Sequence, residues 1–139
     1  MARAVPPRSV VVVLGVVALA VAMVAGLATG GNATVRVGGG IQNGGLLTLN
    51  RTTVTSNRAA SDGGGIYNYG TLTLNNSRLT GNLFGGGGGG LFSEGQATLN
   101  YPVVTRNTAA FGGGILSVNT LTLNRTTVSG NVPDDCLCS

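Results

Sequence analysis

Short apolar segments recur along this chain at a nearly constant interval. Gly-Gly-Gly triplets followed by Ile or Leu begin at residues 38, 63, 88 and 112, at offsets of 25, 25 and 24 residues. A Leu-Thr-Leu-Asn type segment begins at residues 47, 72, 97 and 121, and an aliphatic-x-x-Asn segment begins at residues 54, 79, 104 and 128. A fixed period in the twenties indicates one structural unit that buries its apolar face by stacking on its neighbours.

Each repeat contains three short β-like pieces separated by Gly, Asn and Ser. In the first Leu-Thr-Leu-Asn segment, strand alternation places Leu47 and Leu49 on one face and Thr48 on the other. Three strands and three corners per repeat are typical of a parallel β-helix. We therefore predict an all-β fold, a parallel β-helix of about four 24–25-residue coils over residues 32–131, followed by a C-terminal tail at residues 132–139.

The repeat also predicts which side chains form the core. Stacking successive coils about 4.8 Å apart aligns equivalent inward residues into columns. One column comes from the Leu-Thr-Leu-Asn segments, one from the aliphatic-x-x-Asn segments and one from the residues after the glycine triplets. The members are, in that order, Leu49, Leu74, Leu99 and Leu123; Val54, Leu79, Val104 and Val128; and Ile41, Ile66, Leu91 and Ile115.

Asparagine occupies two fixed corners in every coil. Its side-chain amide can bond both the local backbone and the amide of the next coil, and asparagine tolerates left-handed backbone angles. We predict two hydrogen-bonded structural ladders rather than a ligand site. They are Asn50, Asn75, Asn100 and Asn124 at one corner, and Asn57, Asn82, Asn107 and Asn131 at the other.

The N-terminal region reads as a targeting segment. Residues 10–28 carry no charge and follow a basic stretch that contains Arg3 and Arg8. This pattern predicts an N-terminal hydrophobic helix within residues 1–28, acting either as a signal peptide or as a membrane anchor. The expected location is therefore secreted or at the cell surface, and contact with a membrane is expected only through residues 10–28 if they are not cleaved.

The repeat resembles a known family on these same motifs. Bacterial right-handed parallel β-helix proteins, including the polymorphic outer-membrane protein repeats, carry GGA[ILV] and F-x-x-N signatures. Here the first is similar to Gly-Gly-Gly-Ile or Gly-Gly-Gly-Leu, and the second appears with Val or Leu in place of the aromatic residue. The ending at residues 131–136, NVPDDC, is similar to the N-x-P-D-N-C ending of secreted bacterial proteins of this class. The resemblance implies a right-handed β-helix.

Composition bears on the chemistry that the chain can perform. The whole chain has no His and four acidic residues, Asp62, Glu94, Asp134 and Asp135. Glycosidases need two flanking acids, and Ca²⁺-dependent lyases need clustered oxygen ligands. We predict no enzymatic activity, no catalytic residues, no cofactor and no metal.

The arginines are spread one or two per coil without interleaved aromatic residues, so no nucleic-acid partner is expected.

Three functions remain open from the sequence. The first is an exported structural or binding module, adhesin-like, with a surface or polysaccharide ligand. The second is a fragment of a polysaccharide-active β-helix enzyme that lacks its active site. The third is an ice-binding protein, since outward hydroxyl residues form two columns, Thr48, Thr73, Thr98 and Thr122 in one and Thr55, Thr80, Thr105 and Ser129 in the other. Exposed coil ends also suggest self-association, and Cys136 and Cys138 could be free, paired together or paired between molecules.

Overall fold

The computed structural model describes residues 20–24, 27–29, 32–33, 40–60 and 63–138, with side chains described from residue 40 onward. These residues form short strands joined by tight turns. In chain order they are β1 (Ala20–Val24), β2 (Leu27–Thr29), β3 (Asn32–Ala33), β4 (Ile41–Asn43), β5 (Leu46–Asn50), β6 (Thr53–Thr55), β7 (Arg58–Ala59), β8 (Ile66–Asn68), β9 (Thr71–Asn75), β10 (Arg78–Thr80), β11 (Leu83–Phe84), β12 (Leu91–Ser93), β13 (Gln96–Asn100), β14 (Val103–Thr105), β15 (Ile115–Ser117), β16 (Leu121–Asn124), β17 (Thr127–Ser129) and β18 (Cys136–Cys138).

The strands stack into four parallel sheets, and each coil adds one strand to a sheet before passing to the next. Sheet A has the order β1-β5-β9-β13-β16, and sheet B has the order β2-β6-β10-β14-β17. Sheet C has the order β3-β7-β11, and sheet D has the order β4-β8-β12-β15-β18. The pairing joins equivalent repeat positions, as in the register Leu49↔Leu74 and Leu74↔Leu99. The predicted parallel β-solenoid of about four turns is confirmed.

Sheet C is a fourth element that the sequence pattern did not predict. Its strands are only two residues long, and isolated bridges from Leu83 to Thr108 and from Thr108 to Val132 extend it. The inward residues Ala59, Phe84 and Ala109 form a small cluster of their own. Because these residues differ in size from coil to coil, no repeated motif marks the sheet in the sequence.

The predicted core columns face the interior. Ile41, Leu49, Val54 and their equivalents in the next two coils, together with Ile115, are at most 1% exposed. The last coil differs, since Leu123 is 41% exposed and Val128 is only partly buried. In the described part of the chain, β16 and β17 each have a neighbour on one side only, whereas β18 covers β15. This difference explains why Ile115 is buried and Leu123 is not.

The two predicted flanking segments have different outcomes. Within residues 1–28 the structure describes residues 20–24 and 27–28, whose backbone pairs in parallel with β5 and β6, and the remainder lies outside the described residues. The targeting role of this segment stays a prediction. No described helix is long and apolar enough to span a bilayer. Within the predicted tail, β18 pairs with β15, and Cys136 and Cys138 form a disulfide with each other.

Candidate functional site

The inner asparagine ladder runs through the buried corner between sheets B and C. Asn57 donates from Nδ2 to Oδ1 of Asn82 at 3.0 Å, and the same contact recurs from Asn82 to Asn107 and from Asn107 to Asn131 at 2.9 Å. The backbone N–H of each donor residue bonds the same oxygen at 3.0–3.1 Å. The second Nδ2 proton of Asn107 reaches the carbonyl of Leu79 at 3.0 Å. Each buried rung thus satisfies its amide fully, as buried polar groups require.

Asp135 closes the inner ladder at its C-terminal end. Its Oδ1 accepts from the backbone N–H of Asn131 at 3.0 Å and from Nδ2 of Asn131 at 2.9 Å. This oxygen therefore occupies the place of the next asparagine Oδ1. The bonds from the backbone and then the side chain of Asn131 hold the pKa of Asp135 below its ordinary value. A carboxylate accepts these bonds as an ion, so the contact favours the charged form.

The outer ladder lies at the solvent-facing end of sheet A. Asn75 donates to Asn50 at 2.7 Å, Asn100 donates to Asn75 at 2.8 Å, and Asn124 donates to Asn100 at 2.7 Å. Donation runs toward the N-terminus here, opposite to the inner ladder. Asn50, Asn75 and Asn100 are half-buried. The predicted asparagine ladders are therefore present, one buried and one at the surface.

The predicted reason for asparagine at these corners is partly wrong. Left-handed backbone angles fall on the neighbours of the ladder residues: on Arg51, Asn76, Tyr101 and Arg125 after the outer ladder, and on Ser56, Gly81, Arg106 and Gly130 before the inner one. The ladder asparagines themselves are not among the positive-φ residues. Their side chains need an extended backbone to point along the stack, so the adjacent residue makes the turn.

A further polar column in sheet D was missed in the sequence. Asn43 donates to Asn68 at 2.8 Å, and Asn68 donates to the hydroxyl of Ser93 at 3.0 Å. The equivalent residue of the next coil, Ser117, donates to the carbonyl of Asn119 at 3.2 Å. All four side chains are buried. The change from Asn to Ser halfway along the column hid the repeat, although the third position after each glycine triplet is polar in every coil.

The outward face of sheet A presents two uniform columns. Thr48, Thr73, Thr98 and Thr122 are in register, and the outer asparagine ladder lies beside them. The column on the other side is mixed, with Leu46, Thr71 and Gln96 in register. A flat array of paired threonine columns, as the ice-binding alternative would use, is therefore not built on this sheet.

The described carboxylates lie apart from one another. Glu94 lies between β12 and β13 and accepts a hydrogen bond from the hydroxyl of Tyr67, whereas Asp134 and Asp135 lie between β17 and β18. Among the described residues, no group of three or more His, Cys, Asp and Glu could hold a metal ion. The described residues therefore place no second carboxylate opposite Glu94.

Aromatic side chains gather on the outward face of sheet D. The rings of Tyr67 and Phe92 have centroids 5.4 Å apart, and those of Tyr67 and Tyr69 are 5.5 Å apart. Phe92 is only 9% exposed, because the glycine loop at residues 85–90 lies close to it. Phe84, at the other end of that loop, points into the small core of sheet C. The loop thus covers part of sheet D.

Comparison with protein-family models, with curated proteins and with solved structures finds no match for this chain.

Proposed function

We propose that this chain is an exported, non-catalytic β-solenoid module, secreted or displayed at the cell surface, that acts as an adhesin-like structural or binding element. The observation that carries the proposal is the outward face of sheet A, with its columns of identical threonine and asparagine side chains in register. Such a face presents the same polar groups at every coil, about 4.8 Å apart. A repetitive ligand can contact such a face at several equivalent positions at once, which raises the overall affinity.

The rigidity of the stacked coils supports a role in which the outward side chains are held in a fixed arrangement for binding. The inner ladder and the polar column of sheet D bond successive coils to one another through buried side chains. No buried side-chain nitrogen or oxygen among the described residues lacks a partner. A fully satisfied polar network holds one geometry. The outward columns therefore keep a fixed spacing, as a multivalent binding surface requires.

The proposal places no catalysis on this chain. A glycoside hydrolase works with two carboxyl groups on either side of the scissile bond, about 5 to 9.5 Å apart. Glu94 and Asp135 lie in different connections of the solenoid. The test is incubation of the purified protein with neutral and acidic polysaccharides, followed by assay of new reducing ends and of unsaturated sugars. Release of either product would contradict the proposal and favour a polysaccharide-active enzyme.

We infer that the repeats are of the polymorphic outer-membrane protein type and wind in a right-handed sense. The support is the Gly-Gly-Gly-Ile/Leu motif, whose aliphatic residue enters the core in each coil from Ile41 to Ile115. The Val or Leu of the second signature, such as Val54, is buried in the place of the family's aromatic residue. An experimental structure tests the handedness directly, and a left-handed coil would overturn this assignment.

Export is tested by following the N-terminus. The full chain is expressed in a bacterial cell, the medium and the membrane are separated, and the protein in each is measured by mass spectrometry. A mature N-terminus near Thr29 in the medium establishes secretion, and an intact Met1 in the membrane establishes an anchor through residues 10–28. Intact protein that remains in the cytosol contradicts export.

We further infer self-association through the coil ends. Leu121, Leu123 and Val128 occupy inward positions of the last coil but are incompletely covered, and β16 and β17 each have one unpaired edge in the described part of the chain. Unpaired strand edges beside apolar surface are templates for further pairing. Sedimentation velocity over a range of protein concentrations tests this inference, and a monomer at every concentration would contradict it.

A further inference from the structure

The arginines of the described residues gather on one side of the solenoid. Arg78 lies on the outward face of sheet B, and the others flank that sheet. Arg51 and Arg125 lie at the corner between sheets A and B, Arg106 lies at the corner between sheets B and C, and Arg58 begins the adjoining strand of sheet C. All five side chains are exposed. We call sheet B with these flanking residues the basic face.

The described carboxylates lie away from the basic face. Glu94 is at the corner between sheets D and A, and Asp134 and Asp135 precede β18 of sheet D. The described charges are therefore separated across the solenoid, with five cations on one side. The arginines come from all four coils, so the positive charge extends along the solenoid axis. Charge of one sign along a surface attracts a polymer of the opposite sign.

The basic face contains an open groove of about 400 Å³. Arg78 and Arg106 line it together with three hydroxyl side chains from successive coils, Thr80, Thr105 and Ser129. The hydroxyls of Thr80 and Thr105 are 3.4 Å apart and in register. The groove therefore combines two fixed positive charges with a row of groups that both donate and accept hydrogen bonds.

We propose that this groove binds an acidic polysaccharide. Arg78 and Arg106 bind the carboxylate or sulfate groups of the sugar, and the row of hydroxyls bonds the sugar hydroxyl groups. The guanidinium fork matches a carboxylate in a bidentate manner and keeps its charge at every physiological pH. The proposal gives the binding module a second surface, separate from the outward face of sheet A, and names the ligand class for it, so it rests on the proposed function.

The chemistry of the groove favours a sugar polymer over a nucleic acid. Proteins that bind single-stranded nucleic acid stack the bases on aromatic rings. The described outward positions of sheet B carry Thr, Arg, Val and Ser only. Tyr101, beside the sheet at the corner with sheet A, has the guanidinium of Arg125 over its ring, 5.8 Å from the centroid. The outward strand positions of sheet B themselves offer a base no aromatic ring to stack on.

The test is a binding titration of the full chain at low ionic strength. Polygalacturonate supplies carboxylates and heparin supplies sulfates, while dextran is the neutral control and poly(dT) is the nucleic-acid control. The charge variant combines Arg78→Gln with Arg106→Gln. Its matched control combines Arg51→Gln with Arg58→Gln, which removes the same charge from exposed residues that do not line the groove. Circular dichroism checks that both variants fold.

A second pair of variants tests the hydroxyl row. Thr105→Val removes a hydroxyl from the groove, and Thr53→Val removes one from the outward face of the same sheet at a position that does not line the groove. Both threonines are half-buried strand residues. We expect Thr105→Val to weaken polygalacturonate binding about fivefold, as one lost hydrogen bond does. Thr53→Val is expected to weaken it less than Thr105→Val does.

We expect polygalacturonate or heparin to bind, the better of the two identifying the acid group. The groove double variant is expected to weaken binding on the order of 100-fold, about tenfold for each arginine, and the control variant to weaken it less than about tenfold.

Equal losses of affinity in the two variants would show attraction by net charge and overturn the proposal. Tighter binding of poly(dT) than of either acidic polysaccharide would also overturn it. Dextran binding of equal affinity in the wild type and in the groove double variant would overturn the proposal of an acidic ligand, but it would still agree with a binding function. Binding to no polysaccharide would overturn the acidic ligand, and absence of binding to whole cells as well would contradict the binding module.

Discussion

The inner ladder concentrates several buried hydrogen bonds on single side chains. Asn107 donates to Asn131 and to the carbonyl of Leu79, and it accepts from the backbone and the side chain of Asn82. We predict that Asn107→Ala lowers the free energy of unfolding by about 3 kcal/mol, because it leaves buried partners unsatisfied. Urea denaturation followed by circular dichroism measures the change.

Asn100→Ala is the matched control for that substitution. Asn100 belongs to the same coil and makes a ladder bond to Asn75 at 2.8 Å, but it is half-buried, so water replaces the lost partner. We expect a cost of about 1 kcal/mol or less. Similar costs for the two variants would show that burial of the inner ladder contributes nothing special to stability.

Asp135 makes the end of the ladder sensitive to acid. The bonds from the backbone and side chain of Asn131 lower the pKa of Asp135 from its ordinary value of 3.8. A lowered pKa in the folded state adds stability that is fully present above the unfolded pKa and is lost as pH falls through the folded pKa. We predict that unfolding temperatures measured from pH 6 to pH 2 fall partly for this reason.

Asp135→Asn tests that assignment, because it keeps the Oδ1 acceptor and replaces the ionisable carboxyl group with an amide that does not titrate. The variant should keep the ladder end and lose the part of the acid dependence that belongs to this group. Asp134→Asn removes an equal charge one residue away, where no ladder bond is formed, and serves as the control. A wild-type acid profile in Asp135→Asn would contradict the prediction.

At the scale of the elements, glycine serves two different purposes. Gly81 makes the corner between β10 and β11 with φ of +63°, and a Cβ there would meet only Oγ1 of Thr55, at 3.9 Å. Gly90 lies under the next coil, where a Cβ would stand 2.6 Å from the carbonyl oxygen of Gly114. The first position needs a left-handed angle, and the second needs space between stacked backbones.

We therefore predict unequal costs for the same substitution at these two positions. Gly81→Ala should cost about 1 kcal/mol from backbone strain alone. Gly90→Ala should cost about 3 kcal/mol, because the coils must separate locally. Thermal and urea unfolding measure both variants. Equal costs would show that coil spacing at the glycine triplets adjusts without penalty.

The elements that the sequence predicts are those whose residue type repeats. Sheets A, B and D each carry an inward aliphatic residue at one fixed position in every coil, and both asparagine ladders keep one residue type throughout. Sheet C was missed because its inward residues change from Ala59 to Phe84 to Ala109. The column from Asn43 to Ser117 was missed because its residue type changes.

At the scale of the whole molecule, the basic face shows what a repeat alignment leaves out. Arg51, Arg58, Arg78 and Arg106 each occupy a different position of the repeat, so they look scattered along the chain. The solenoid winds those positions onto one sheet and its edges. Charge clustering here depends on the angular position of a residue around the coil. The four arginines share one stretch of the repeat, from the residue after the outer-ladder asparagine to the residue after the inner-ladder asparagine, but a search for one residue type at one repeat position does not show it.

The incompletely covered last coil of the described residues is the end through which we propose that the molecule associates. Leu123 is 41% exposed on the unpaired side of sheet A, next to the edge strand β16. We predict that Leu123→Arg shifts any oligomer seen by sedimentation velocity toward monomer, because a charge at this end cannot be buried against a second apolar coil. Val118→Arg is the control, since Val118 is 58% exposed in the connection between β15 and β16, outside the strands of the open end. An equal shift in both variants would mean that added charge alone disperses the protein. No shift in Leu123→Arg would place the contact elsewhere on the solenoid.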